Sequence, residues 1–283
     1  MGYAAPMRIE FLKMHGLGND FIVFDAPGAG GAAPDARMLT ALSDRHTGIG
    51  FDQALMLEPP RNHADRAYYR IFNADGGEVE QCGNGARCVA ALLYSRAPAL
   101  GRSFTLDSPG GRLEARIRDD GLVSIDMGLP RFDPAALPFE ASGMSYVYPL
   151  NVNGREVEIG AVSMGNPHAV LVVPDIDTAP VDRLGPAIEH HPRFPKRTNV
   201  GFMQVVDRGH IRLRVHERGV GETRACGTGA CAAVAVGRRH GSLDAEVEVA
   251  LRGGKVSISW PGEHEHLWMT GPAARVFSGT VEI

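Results

Sequence analysis

Cysteine is scarce in this chain, with four residues, Cys82, Cys88, Cys226 and Cys231, among 283. Four are too few for a disulfide scaffold of this length, so reduced thiols are expected. The spacings C-x5-C and C-x4-C lack the close pairs and histidine partners of structural zinc, and no metal is expected. No run of eighteen apolar residues occurs, which excludes a membrane-spanning helix. The opening "MGYAAPMRIEF" has no charged-then-apolar secretion profile, and Pro6 stands where a myristoylation signal wants Ser or Thr. A cytoplasmic location is therefore expected. The formal net charge is −4, and no block of Lys or Arg is dense enough for a phosphate-binding stripe, so nucleic acid is an unpromising partner.

What is present points to a folded, turn-rich protein. Hydrophobic residues make up 44% of the chain, with 35 glycines and 19 prolines. The length allows two domains, each with its own core. Alternating apolar and polar runs dominate: "MRIEFLKM" at 7–14, "RAYYRIFNAD" at 66–75, residues 102–128, "HIRLRVHERG" at 210–219 and residues 246–260. Gly-Gly and Asp-Asp-Gly breaks within them read as hairpin connections, so mostly antiparallel sheet is expected. Two segments differ, 84–97 and 228–240, where Ala, Val and Leu surround the helical cylinder and charge is almost absent until its end. Helices of that kind are buried on all sides. The expected fold is α+β, two pseudo-symmetric domains, each a sheet curled around one central helix.

The duplication is written in the residues. "LGNDFIVFD" at 17–25 resembles "MGNPHAVLVV" at 164–173, and "GFDQ" at 50–53 has an echo in "GFMQ" at 201–204. "NADGGEVEQCGNGA" aligns with "ERGVGETRACGTGA", which sets Asn73 opposite Glu217 and Cys82 opposite Cys226. Between them, "APGAGGAAPDA" at 26–36 reads as a surface insertion. Its resemblance to a dinucleotide fingerprint lacks the following helix and the acidic ribose ligand.

Each repeated cysteine opens a helix in a C-G-x-G context. The first turn of a helix carries unpartnered N–H groups and a partial positive charge. Glycines there admit an anion close to the backbone, and the same field favours a thiolate. Each motif thus combines a carboxylate cradle with a thiol poised to ionise. Two of them facing one another would remove a proton from one side of a carbon and return one to the other, inverting a stereocentre without a cofactor. A cysteine in an Ala-rich helix is ordinarily a small core residue, and Cys88 and Cys231 are read so. A Cys82–Cys226 disulfide, with sulfurs about 2 Å apart, would leave no room for substrate and would be an inactivated state. His168, in the repeated Gly-Asn landmark, is a candidate for setting a thiol pKa. Glu217 and Arg218, just before the second cysteine loop, would suit a zwitterionic substrate.

At this point the residues match a known family. "KMHGLGNDF", "GIGFDQ", "NADGGEVEQCGNGARC", "SMGNPH", "RTNVGF" and "ERGVGETRACGTGACAA", in this order from residue 13 to 233, resemble diaminopimelate epimerases. The resemblance implies an isomerase that interconverts LL- and meso-diaminopimelate, feeding lysine and cell-wall precursor synthesis. It also implies no cofactor, in particular no pyridoxal phosphate, and a homodimer. It further implies a first domain of residues 1–126 plus 272–283 and a second of 127–271. Carried over by position, Cys82 and Cys226 are the acid and base pair, with His168 and Glu217 tuning them. Gly83, Asn84, Gly227 and Thr228 supply N–H groups to the carboxylate. Asn19 and Gln53 lie near the reacting end, and Asn73, Asn166, Asn199, Glu217 and Arg218 recognise the substrate or shape its site. Departures are "LDSPGG" at 106–111, a longer 28–36 loop, and Phe277 where a tyrosine is familiar near the dimer contact. The alternatives are a racemase for proline or hydroxyproline, a non-catalytic binding protein, and a cysteine hydrolase, which would leave the second cysteine unexplained.

Overall fold

The computed structural model describes residues 8–26, 35–80 and 82–282. The opening residues, most of the 26–36 insertion and Gln81 lie outside the described residues. The elements run β1 (Arg8–Gly16), β2 (Asn19–Asp25), α1 (Ala36–Ser43), β3 (Gln53–Glu58), β4 (Asp65–Asn73), β5 (Glu78–Val79) and α2 (Gly83–Arg96). Then come β6 (Ser103–Asp107), β7 (Leu113–Ile117), β8 (Val123–Asp126), β9 (Tyr148–Val152), β10 (Arg155–Ser163), β11 (Pro167–Val172) and α3 (Val181–Glu189). The chain continues with β12 (Asn199–Asp207), β13 (His210–Glu217), β14 (Gly221–Thr223) and α4 (Gly227–Arg239). It finishes through β15 (Glu246–Leu251), β16 (Gly254–Ser259), β17 (Trp268–Gly271) and β18 (Ala274–Glu282). Two compact units result, one up to Ile125 together with Pro272 onward, the other from Asp126 to Gly271.

Within the first unit β1 pairs antiparallel with β18 and β2, β2 runs parallel to β3, and β3 antiparallel to β4. β4 then pairs antiparallel with β5 and parallel with β6, which pairs antiparallel with β7. The second unit follows the same plan: β10 with β9 and β11, β11 parallel to β12, β12 with β13, β13 with β14 and parallel to β15, β15 with β16. The repeat is therefore one of topology as well as wording. The parallel pairs qualify the expectation of antiparallel sheet. A parallel neighbour requires a crossover of a dozen or more residues, and α1, α2, α3 and α4 each lie in one.

The two apolar helices start one residue earlier than expected and are buried along their length, Gly83–Ala90 with Leu92 in α2 and Gly229–Gly237 in α4. α2 packs on β1, β2 and β7, and α4 on β10, β11, β12, β13 and β16. At the end of α4, Arg238 and Arg239 occupy the last turn, where cations suit the helix dipole. Two further helices were not foreseen. α1 buries Leu39 and Leu42 against Ile22, Ala54 and Met56, while Leu55, on the other face of the same strand, meets α2. Strands covered on both faces read as continuous apolar runs, which is why "QALMLE" carries no clean alternation. The sequence signals for α1 were the N-cap at Asp35, whose side chain accepts from the Arg37 N–H, and the three-residue spacing of its leucines. α3 was hidden by Pro180 at its N-cap and Pro186 inside it.

One landmark of the repeat is corrected. Gln53 opens β3 opposite Phe21, whereas Asn199 opens β12 opposite His168. The counterpart of Gln53 is thus Asn199, and "GFMQ" falls inside β12, so that echo is accidental. A truer signal is a pair of ion pairs: Arg70 with Glu78 at 2.6 Å and Arg214 with Glu222 at 2.7 Å, each joining the hairpin before a cysteine. Such pairs contribute about 0.2–1 kcal/mol each, so they mark equivalence more than they stabilise.

Candidate active site

Cys82 is the N-cap of α2, with φ −147° and ψ 107°, and its sulfur accepts a hydrogen bond from the Gly85 N–H at 3.4 Å. Helix propagation begins at once, the Ala86 N–H donating to the Cys82 carbonyl at 2.8 Å. Cys226 holds the same place in α4, with φ −108°, ψ 110° and an Ala230 N–H bond to its carbonyl at 3.0 Å. The second glycine of each motif is required by packing. A Cβ on Gly85 would stand 3.1 Å from Leu55, and one on Gly229 would stand 2.9 Å from Val215 and 3.3 Å from the Cys226 sulfur. Gly83 and Asn84 are buried, while Gly227 and Thr228 are half-buried.

Around Cys82 the polar side chains form a connected set. Asn19, the first residue of β2, places Oδ1 3.8 Å from the Cys82 sulfur and 3.3 Å from Asn84 Nδ2. Its own amide nitrogen donates to Asp52 at 3.1 Å. Asn84 accepts from the wholly buried Arg87 at 2.7 Å. The Asn84 side chain is thus spent inside the protein. Gln53 donates to Asn73 at 2.9 Å across the β3–β4 register, and its Oε1 is buried with no hydrogen-bond partner. Cys88, as expected, is core, its thiol pushed up to about 12 by burial.

The second unit is built differently. The Cys226 thiol is held well above its ordinary value by burial, then by the charge of Glu217 and a hydrogen bond to that carboxylate. It stays protonated at neutral pH. Glu217, at the end of β13, also accepts from Thr223 Oγ1. Cys226 lies 3.7 Å from Thr228 Oγ1, which accepts from Asn166 Nδ2 at 3.4 Å. Asn166 Oδ1 is 3.0 Å from His168 Nε2, so His168 reaches the thiol through two intermediaries. Asn199 donates to the Pro167 carbonyl at 3.1 Å and accepts from the Arg218 N–H at 2.9 Å, tying the β13–β14 turn to β11. The Arg218 side chain is exposed, with one bond to the Lys196 carbonyl at 3.1 Å.

One residue beneath this turn departs from what its sequence suggests. "EHHP" at 189–192 has the polar composition of a surface segment, but Glu189 is 3% exposed, 2.8 Å from His216 Nε2 and 2.9 Å from the Gly219 N–H. It buttresses the turn that carries Glu217 and Arg218. The signal was α3, since only a helix ending at 189 turns that carboxylate inward.

His168 supplies a stability prediction. Burial, with the Arg218 charge adding to it, pushes its imidazole from 6.5 down to about 3. The unfolded chain then binds the extra proton first, so stability is lost as pH falls below the unfolded value and is intact above it. Between pH 7 and pH 5 this amounts to about 2 kcal/mol. Urea unfolding of His168→Gln at both pH values is expected to show a drop smaller than wild type by that amount, and an identical drop would refute it.

Among the described residues no helix is long and apolar enough to cross a membrane, and no cluster of His, Cys, Asp and Glu is arranged to hold a metal.

Comparison with known proteins bears on the family and the fold. The family model for diaminopimelate epimerase matches residues 11–132 and 160–276. A diaminopimelate epimerase of Nitrosomonas europaea is 56% identical over 277 residues, 98% of this chain and 100% of that protein. One of Stutzerimonas stutzeri is 53% identical over 98% and 100%. Solved structures share the fold at low identity. A Bacillus anthracis phenazine biosynthesis protein of the PhzF family has TM-score 0.70 and 19% identity, covering 98% of this chain and 100% of its own. A hydroxyproline epimerase of Agrobacterium vitis with bound trans-4-hydroxy-L-proline has TM-score 0.68 and 17% identity, over 98% and 93%.

Proposed function

The chain belongs to the diaminopimelate epimerase family, and from that premise we propose that it epimerises diaminopimelate through a pair of cysteines, without a cofactor. It is an isomerase. The observation that carries the two-thiol reading is the repeated one: in each unit a cysteine caps the helix N-terminus ahead of a glycine.

In one direction Cys82, as thiolate, takes the α-proton, and the C–H electron pair passes into the substrate carboxylate. Helix N–H groups at Gly83, Asn84, Gly227 and Thr228 meet the charge as it develops. The Cys226 thiol, protonated at neutral pH, delivers a proton to the opposite face, leaving its own electron pair on sulfur. The α-carbon is inverted, and atoms and charge balance. The reverse reaction exchanges the two roles.

Recognition of the distal amino acid group falls to Glu217 for the ammonium and Arg218 for the carboxylate, with Asn73, Asn166 and Asn199 shaping the site. Asn19 and Gln53 serve the reacting end. Glu217 and Arg218 favour diaminopimelate over proline or hydroxyproline, which lack a second amino acid group. A homodimer is supported by Val276 and Phe277 on β18, exposed at 54% and 46%. A cytoplasmic location suits a precursor of lysine and cell-wall synthesis.

The direct test supplies LL-diaminopimelate to reduced protein without added pyridoxal phosphate and separates the stereoisomers by chiral chromatography. Accumulation of the meso form is expected. Turnover of proline with none of diaminopimelate would reassign the substrate.

A further inference from the structure

Four side chains in the first unit form a hydrogen-bonded line with a fixed direction. Arg87, with no exposed surface, donates to Asn84 Oδ1 at 2.7 Å. Asn84 Nδ2 donates to Asn19 Oδ1 at 3.3 Å, and Asn19 Nδ2 donates to Asp52 Oδ2 at 3.1 Å. A side-chain amide can usually turn over, exchanging its oxygen and nitrogen. Here neither amide is at liberty to do so. A guanidinium only donates and an ionised carboxylate only accepts, so the two ends dictate the sense of both amides between them. Both ends are anchored. Arg87 Nε also donates to the Pro272 carbonyl at 3.2 Å, and Asp52 is held by Arg45 at 2.8 Å and by the Asp20 N–H at 3.1 Å. Asp20 in turn binds Arg45 at 2.8 Å and Lys13 at 2.6 Å.

We propose that Asp52 and Arg87 are positioning residues for Cys82, which compel Asn19 to present its carbonyl, and never its NH2, to the Cys82 sulfur 3.8 Å away.

A carbonyl can accept from S–H but cannot donate to a thiolate. It therefore stabilises Cys82 once it has taken up a proton, and makes the thiolate a stronger base. The N-terminus of α2 and the Gly85 N–H act in the opposite sense. The line sets the balance between a thiol too acidic to abstract a carbon-bound proton and one too weakly ionised to begin. In the second unit no such constraint operates, since Thr228 accepts from Asn166 and its rotatable hydroxyl can either donate to Cys226 or accept from it. The catalytic meaning rests on the two-thiol reading above, but the test does not, since it needs no substrate.

Tyr69 and Cys88 are each coupled to Cys82 by charge, and burial pushes both up, so that both are neutral across the working range. The experiment is the pH dependence of iodoacetamide alkylation at Cys82, read by peptide mass mapping in wild type, Asp52→Asn, Asn19→Ala and the double variant. Asp52→Asn removes the end that only accepts and leaves Asn19 held by the single, longer bond from Asn84 at 3.3 Å, so Asn19 turns over in part and the Cys82 titration is expected to move down, by no more than about one unit. Asn19→Ala removes the carbonyl and moves it the same way. In the double variant the shift equals that of Asn19→Ala alone. Removing the Asp52 charge could lower the titration directly, and the double variant separates the two. A further shift from Asp52→Asn on the Asn19→Ala background overturns the proposal, as does an unchanged profile in Asp52→Asn. Should Asp52→Asn fail to fold, Asn19→Ala carries the test, and a profile identical to wild type overturns it. Epimerase activity stands or falls separately from any of these results.

Discussion

Cys82→Ala and Cys226→Ala each lower kcat/KM for interconversion of LL- and meso-diaminopimelate by about 10²–10⁴-fold, the span expected when a positioned acid or base is removed. Neither variant is rescued by the other thiol, because one sulfur serves one face of the α-carbon. The two losses do not multiply. Once either thiol is missing, the proton relay is broken, and the double variant is expected to resemble the singles. Folding is not at risk, since each sulfur replaced sits at a helix N-cap whose backbone bonds, Ala86 to Cys82 and Ala230 to Cys226, remain. Loss of the Gly85 bond to sulfur costs Cys82→Ala about 1 kcal/mol in stability. Activity of either variant within threefold of wild type, in a chiral assay, would remove its cysteine from the chemistry.

The second large effect is at Arg218. Its guanidinium is exposed in the structure and makes a single bond to a backbone carbonyl, so it is available to a ligand carboxylate. Arg218→Ala is expected to reduce kcat/KM by about 2–5 kcal/mol, because the distal carboxylate of the bound substrate would be desolvated without a partner. That is roughly 30- to 5,000-fold. Arg218→Lys restores charge but not the bidentate fork and recovers only part of the loss. Steady-state kinetics decide it, and an unchanged kcat/KM in Arg218→Ala would sink distal recognition by this residue. The backbone of the turn is secured independently by Asn199 and Glu189, so the substitution tests the side chain.

What the sequence revealed and what it hid divide along physical lines. The two central helices were legible because a cylinder apolar on every side can only be stable when it is enclosed, and both lie within one residue of their expected starts. The cysteines were legible because a C-G-x-G at a helix start is repeated in equivalent context. α1 and α3 were not, because each is short, and α3 contains prolines that locally argue against a helix. With α1 and α3 went two of the parallel strand pairs, β2 with β3 and β11 with β12. Polar networks were the hardest to read. Asn19, Gln53 and Asn73 could be named, but nothing in the string says that Asn84 turns away toward Arg87 or that Asp52 holds Asn19. The first is a choice of rotamer within one turn of α2, and the second joins β2 to the loop before β3. Glu189 shows the same limit, since a carboxylate in "EHHP" looks exposed until the helix before it is known.

The most direct test of the two-thiol mechanism is proton NMR of LL-diaminopimelate in D2O with reduced wild type, Cys82→Ala and Cys226→Ala. The expected result is deuterium entering one α-carbon of the substrate as the meso form appears with wild type, and neither exchange nor conversion with either variant. Conversion proceeding in a variant at the wild-type rate, or inversion without deuterium entering the α-carbon, would contradict it.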